Sequence, residues 1–208
     1  MTLYQVPNSA DVLILPPSMQ ACLSQDIHNT WGRGLKSTAL MFDISGFFNF
    51  INHDILTQQL TGFGFNTKTT NLIKGFLTSC RTQISYDNYL SDPHDIPNGI
   101  PQGSPFSPIL SILYSAPLLA IRDLTLCGIS TLAYIDDGIL LTSSSSLSIN
   151  TTRLQNTFPI LEKALMDIGL SIQPKKLKIM HFTRGPDWEN PPFHLPSLDR
   201  PIIMPKSL

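Results

Sequence analysis

Apolar and polar positions follow two different periods along this chain. Thr38–Asp43 reads TALMFD, a short apolar run closed by an acid, which predicts a buried strand. Thr131–Ile135 and Gly138–Thr142 predict two more buried strands, and Lys178–Phe182 a last one. Other stretches repeat at helical spacing. His53–Leu60 predicts a helix that ends near Gly62 and Gly64. Thr67–Ser79 places Leu72, Ile73, Phe76 and Leu77 on one face, with Thr67 as its cap. Ile109–Arg122 reads as a helix that Pro117 shortens or kinks, and Ser148–Ile168 as one bent at Pro159 and closed by Gly169. Arg81–Asp87 (RTQISYD) alternates like a strand, and Asp87-Asn88 marks a turn. Ser143–Ser146 reads as a surface loop.

The resulting order is β-α-β-β-α-β, with helices and a hairpin inserted after the first strand. It predicts an α+β fold with a ferredoxin-like core. Three segments follow. Residues 1–35 form an irregular N-terminal segment, with an apolar run at Val12–Leu15, a Pro16-Pro17 stop and a short helix at Ser18–Trp31. Residues 36–184 form the folded domain, and residues 185–208 a loose Pro-rich tail.

Composition narrows the function classes. Hydrophobic residues make up 42% of the 208 and charged residues 14%, the balance of a globular chain. A net charge of −1 gives no overall basic field toward nucleic acid, though a local basic site is compatible with it. Cys22, Cys80 and Cys127 show no metal-binding spacing and read as reduced thiols, which places the chain inside a cell. The N-terminus lacks the pattern of a signal peptide. The most apolar stretch, Pro105–Ile121, is interrupted by Pro108 and Pro117 and reads as a core helix, so no membrane partner is expected.

Candidate chemistry begins at LAYIDDGILL, Leu132–Leu141. Asp136-Asp137 falls between two strands, at a hairpin tip where Asp-Asp-Gly suits a tight turn. In the proposed plan the first and second strands run parallel through a crossover. Asp43 and Asp136 then end their strands on the same edge. Three gathered carboxylates need either protons or a cation. Oxygen-only ligands favour Mg²⁺ or Mn²⁺, and such a cluster suits two-metal phosphoryl transfer. An Asp-Asp pair by itself is an ordinary solvated turn, and Asp43 by itself an ordinary strand-end acid. What lies between them decides.

That intervening feature is NGIPQGSPFSP, Asn98–Pro108. Its glycines allow close backbone approach to a ligand, and its prolines stiffen the lead into a helix N-terminus that suits an anion. DISGFFNFINHDIL, NGIPQGSPFSPIL and AYIDD, in this order, resemble motifs A, B and C of reverse transcriptases. HNTWGRGLKSTALMFDISGFF is similar to fungal non-LTR (LINE-type) retrotransposon sequences, and GLSIQPKKLKIMHF to motif D. The resemblance covers roughly residues 27–185.

This resemblance implies a polymerase palm and RNA-directed DNA synthesis, adding deoxynucleoside triphosphates to the primer 3′-OH on an RNA or DNA template. It implies Asp43, Asp136 and Asp137 as metal ligands, assisted by the Ile44 carbonyl. Phe48 falls where an aromatic under the incoming sugar excludes a 2′-OH. Gln102 and Gly103 match the loop touching nucleotide and template. Lys176 matches a candidate general acid, although Lys175 and Lys178 stand beside it. Arg81, Gln102 and Tyr134 are implied nucleic-acid contacts. The nucleus is the implied compartment of a LINE-type product.

The chain departs from the family pattern at Asn49 after Phe48, at Ile135 inside the YxDD box, and at Gln173 and Lys176-Leu177-Lys178 in motif D. About 40 residues precede motif A and little follows motif D, so the expectation is a truncated element product with few fingers and no thumb. Two rival readings stand beside it. One is a folded remnant that binds metal or nucleic acid without catalysis. The other is a different palm enzyme, an RNA-templated RNA polymerase or a nucleotide cyclase.

Overall fold

The computed structural model describes residues 16–78, 80–119, 128–185 and 191–195. In chain order, helix α1 spans Pro17–Gly32 and strand β1 spans Lys36–Asp43; α2 (Phe47–Phe50), α3 (His53–Gly62) and α4 (Thr67–Thr78) follow. Two small ribbons come next, built from β2 (Arg81–Thr82), β3 (Ser85–Tyr86), β4 (Tyr89–Leu90) and β5 (His94–Asp95). After them come α5 (Ser107–Leu119), β6 (Ile129–Tyr134), β7 (Asp137–Ser144), α6 (Leu147–Asp167), a 3₁₀ turn at Pro174–Lys176, and β8 (Lys178–Phe182).

β6, β7, β1 and β8 form one sheet in that order, with every neighbouring pair antiparallel. This is the expected ferredoxin-like arrangement. β1 and β6 point the same way with β7 between them, so Asp43 and the end of β6 share one edge as the split plan expects.

Side-chain alternation on β1 serves two cores. Leu40 and Phe42 join Leu140 of β7 in the larger core with α3, α5 and α6. Ala39 and Met41 join Ile139 and Leu141 on the opposite face, beneath Met19, Leu23 and Ile27 of α1. Coverage on both faces explains the uninterrupted apolar run in TALMF, since neither face of the strand meets water. Successive side chains of a strand point to opposite faces, so a one-residue slip would exchange these two sets. The register is thereby fixed, with Phe42 opposite Gly138 and Asp43 opposite Asp137.

Several elements differ from expectation, each for a local reason. β7 continues through Ser143 and Ser144, because these pair with Ser37 and Lys36 at the start of β1. The first two serines of the run therefore lie in the sheet, and Ser146 caps α6 by accepting from the Ser148 N–H. Asn66, not Thr67, caps α4, its Oδ1 accepting the Thr69 N–H at 2.9 Å. Arg81–Asp87 breaks into two strands because the Ile84 N–H turns to Ser91 Oγ. The Asp87-Asn88 turn is present, with Asp87 at φ 49°. α5 starts two residues early at Ser107, whose hydroxyl donates back to the Pro101 carbonyl. Pro117 sits inside α5, and the stretch expected to continue it to Arg122 lies outside the described residues. In the segment expected to be a loose tail, Phe193 and Leu195 are buried in the larger core. No described helix is long and apolar enough to cross a membrane.

Candidate active site

The β6–β7 connection is two residues long. Tyr134 pairs with Asp137, so the turn consists of Ile135 and Asp136 rather than the two acids. Ile135 holds φ +57°, a left-handed conformation that a β-branched residue rarely adopts. Strain of this kind persists only where its surroundings over-determine it. One source of constraint is visible: the Ile44 N–H donates to the Asp136 carbonyl at 2.7 Å. This bond ties the turn to the end of β1, where Asp43 faces Asp137 across the ladder. Sheet register thus brings Asp43, Asp136 and Asp137 to one edge.

A second tie comes from the segment before β8. The Gln173 N–H donates to the Asp43 carbonyl at 2.9 Å, and Ser45 N–H to Ser171 C=O at 2.8 Å. The following 3₁₀ turn carries Lys176 Nζ to 2.8 Å from Asp43 Oδ2. Asp43 is buried, with its side chain 9% exposed, whereas that of Lys176 is 51% exposed. Among the three neighbouring lysines, geometry singles out Lys176 as the one paired with Asp43. Its ammonium pKa is raised, first by the hydrogen bond it donates to Asp43 and then by the charges of all three acids.

The Asp137 carboxyl is pushed from 3.8 to about 6. Burial is the main cause, followed by the charges of Asp136 and Asp43, with Lys176 opposing them. Among the described residues no three acidic, histidine or cysteine side chains already converge into a metal cage. The donor set nonetheless fits a hard cation, being all oxygen and carrying mutual repulsion that positive charge relieves.

Beside the acids lies a cavity of about 540 Å³. Phe48, Gln102, Gly103, loop residues as far as Pro108, and Asp136 from the turn all line it. Phe48 also meets Phe47 edge-on, with ring centroids 5.8 Å apart. Of the remaining sequence-derived candidates, Arg81 sits on a separate ribbon and Tyr134 adjoins the acids. Arg81 pairs with Asp95 at 2.8 Å across the exposed β2–β5 ribbon. Tyr134 ends β6 about half exposed, opposite Asp137.

Sequence reasoning passed over two residues that tie together the segments bordering the cavity. His53 Nε2 donates to the Gly99 carbonyl at 2.6 Å. Tyr114, fully buried on α5, donates to the Ile168 carbonyl and accepts the Asn52 N–H. His53 had one legible mark, a polar ring amid the apolar residues of FINHDIL at a helix start. Tyr114 had none, being one more large residue in an apolar helix.

An antiparallel sheet of this order, bearing acids at one edge beside a loop-walled cavity, is the palm architecture of template-directed polymerases. The sequence profile for reverse transcriptase (RNA-dependent DNA polymerase) matches residues 2–198, and the chain belongs to that family. No curated protein matches it in sequence. Solved structures share its fold. Apo telomerase from Candida tropicalis, truncated from its C-terminal domain, aligns with a TM-score of 0.64 at 14% identity, over 84% of this chain and 37% of that one. Telomerase from the same organism, in complex with a TWJ fragment of telomeric RNA, aligns at 0.63 and 12% identity, over 83% of this chain and 30% of that one. The Candida albicans telomerase complex aligns at 0.61 and 13% identity, over 85% and 32%. The chain therefore spans about a third of the length of these neighbours.

Proposed function

We propose that this chain is the catalytic palm of an intracellular non-LTR retroelement reverse transcriptase. It joins deoxynucleotides to a primer 3′-OH on an RNA or DNA template. The observation that carries the reading is the register that sets Asp43 against Asp137, with Asp136 in the adjoining turn and beside the cavity. The motif resemblance to fungal LINE-type elements supports the finer assignment.

Asp43, Asp136 and Asp137, with the Ile44 carbonyl, would hold Mg²⁺. Bound there, divalent cations would supply activation of the primer hydroxyl and charge stabilisation on the departing pyrophosphate. The primer 3′-oxygen attacks the α-phosphorus, and the bond to the β-phosphate breaks. Phe48 forms the wall against which the sugar rests, so a 2′-OH meets the ring. Gln102 and Gly103 face the base from the loop. Lys176, already at the acids, gives its proton to the leaving pyrophosphate. Tyr134 and Arg81 would contact the primer and template backbone, as the motif resemblance implies.

Primer extension on an RNA template with dNTPs and Mg²⁺ tests the reading. Wild type should extend, and Asp136→Asn should lose activity by at least about 100-fold, the several kcal/mol expected of a lost metal ligand. Equal extension by both chains rejects the assignment. Nucleic-acid binding without extension favours the remnant reading.

A further inference from the structure

The start of the Gly/Pro loop and the helix that follows it are both tied to one dipeptide, Asn52-His53. At its start, His53 Nε2 meets the Gly99 carbonyl at 2.6 Å. A carbonyl only accepts, so this ring nitrogen carries a proton. Backbone bonds run beside it, from Gly99 N–H to Ile51 C=O at 2.7 Å and from Ile100 N–H to Phe48 C=O at 2.9 Å. Gly99 lies at φ +92°, and a Cβ there would fall 2.9 Å from the Phe48 carbonyl oxygen. Beyond the loop, Tyr114 Oη accepts the Asn52 N–H at 3.1 Å. The stretch between these anchors supplies one wall of the cavity. Phe48, a second part of that lining, precedes Asn52 on the anchoring segment itself.

These two parts of the lining are therefore spaced by the same few contacts. Of these, only the His53 bond is a side-chain donor aimed at the loop backbone, and His53 is just 8% exposed. We propose that His53 is a positioning residue that sets the gap between Phe48 and the Gln102–Pro108 wall, and through it the preference for deoxy- over ribonucleotides. It touches no reacting atom. This inference rests on the polymerase reading.

Single-nucleotide extension with matched dNTP and rNTP tests it, recorded as kcat and KM for each, together with thermal melting. His53→Leu keeps the bulk and removes the donor. His53→Gln returns an N–H at similar reach. His53→Leu should raise the dNTP KM about tenfold, the worth of one hydrogen bond to a partly buried carbonyl, with kcat less affected. The dNTP-over-rNTP ratio should fall by roughly the same factor, because the loosened wall admits the 2′-OH. His53→Gln should recover most of both. Variants that melt earlier yet keep the wild-type ratio would overturn the proposal, as would failure of both variants to fold. An inactive wild type, indistinguishable from Asp136→Asn, would instead sink the polymerase reading and this inference with it.

Discussion

Asp137 bears the electrostatic strain of the acid edge, and its titration exposes that strain. An unfolded Asp loses its proton near 3.8, whereas folded Asp137 keeps it to about 6. Between those values the folded state binds more protons, so stability falls as pH rises through the window and stays lowered above it. In chelator, Asp137→Asn should flatten the melting temperature between pH 4 and 6 and raise it at pH 7. A melting profile parallel to wild type would contradict this. The carboxyl is partly exposed, so solvent screening trims the effect. Gly138 makes a second residue-level test. A Cβ there would lie 2.0 Å from Phe42 Cζ, and Phe42 is buried in the larger core. Gly138→Ala should cost about 1–3 kcal/mol in urea unfolding, the usual range for overpacking. The presence of these residues was legible in the sequence; the reasons for them were not. Turn chemistry suggested Asp136-Asp137 as the tip and Gly138 as its glycine. Pairing across the sheet instead puts Ile135 in the left-handed position, and a phenyl ring is what demands the glycine.

At the scale of elements, long periodic segments were legible and short ones were not. β8 matches its expected bounds, and α6 falls within one residue of them, because a buried face imposes its period on the sequence. The two-residue strands β2–β5 are fully exposed and carry no such signature. The motif resemblance pointed to Lys176, but what aims it was hidden, since the Gln173–Asp43 backbone bond that positions the 3₁₀ turn is a long-range contact. Tyr114 shows how elements hold the site. Its hydroxyl links α5 to the residue capping α3 and to the C-terminal end of α6. Tyr114→Phe strands a partly buried N–H and a buried carbonyl, and should cost about 1–3 kcal/mol by urea denaturation with an unchanged m-value. No loss of stability would show that water replaces the hydroxyl.

For the whole molecule, sheet order was legible from the βαββαβ pattern, and with it the edge on which the acids meet. The charge balance was legible too, and it sets how the chain meets nucleic acid. Only 14 lysines and arginines offset 15 acids. Arg81 and Lys176 are already paired with carboxylates, and Arg153 holds the Ser143 carbonyl. Affinity for a primer–template duplex should therefore depend weakly on salt. Anisotropy titrations between about 50 and 200 mM salt should give a log–log slope no steeper than about −3, or roughly three phosphates neutralised. A steeper slope would reveal a basic surface that the described residues do not show. The central claim, however, is that sheet register makes one cation site from acids far apart in sequence. Titration of Mn²⁺ into the chain, with free ion counted by electron paramagnetic resonance, tests it most directly. Wild type should bind Mn²⁺, and Asp43→Asn, Asp136→Asn and Asp137→Asn should each weaken binding about tenfold or more, at least ~1.4 kcal/mol per lost charge. Binding unchanged by all three substitutions, or no binding by the folded wild type, would contradict the account.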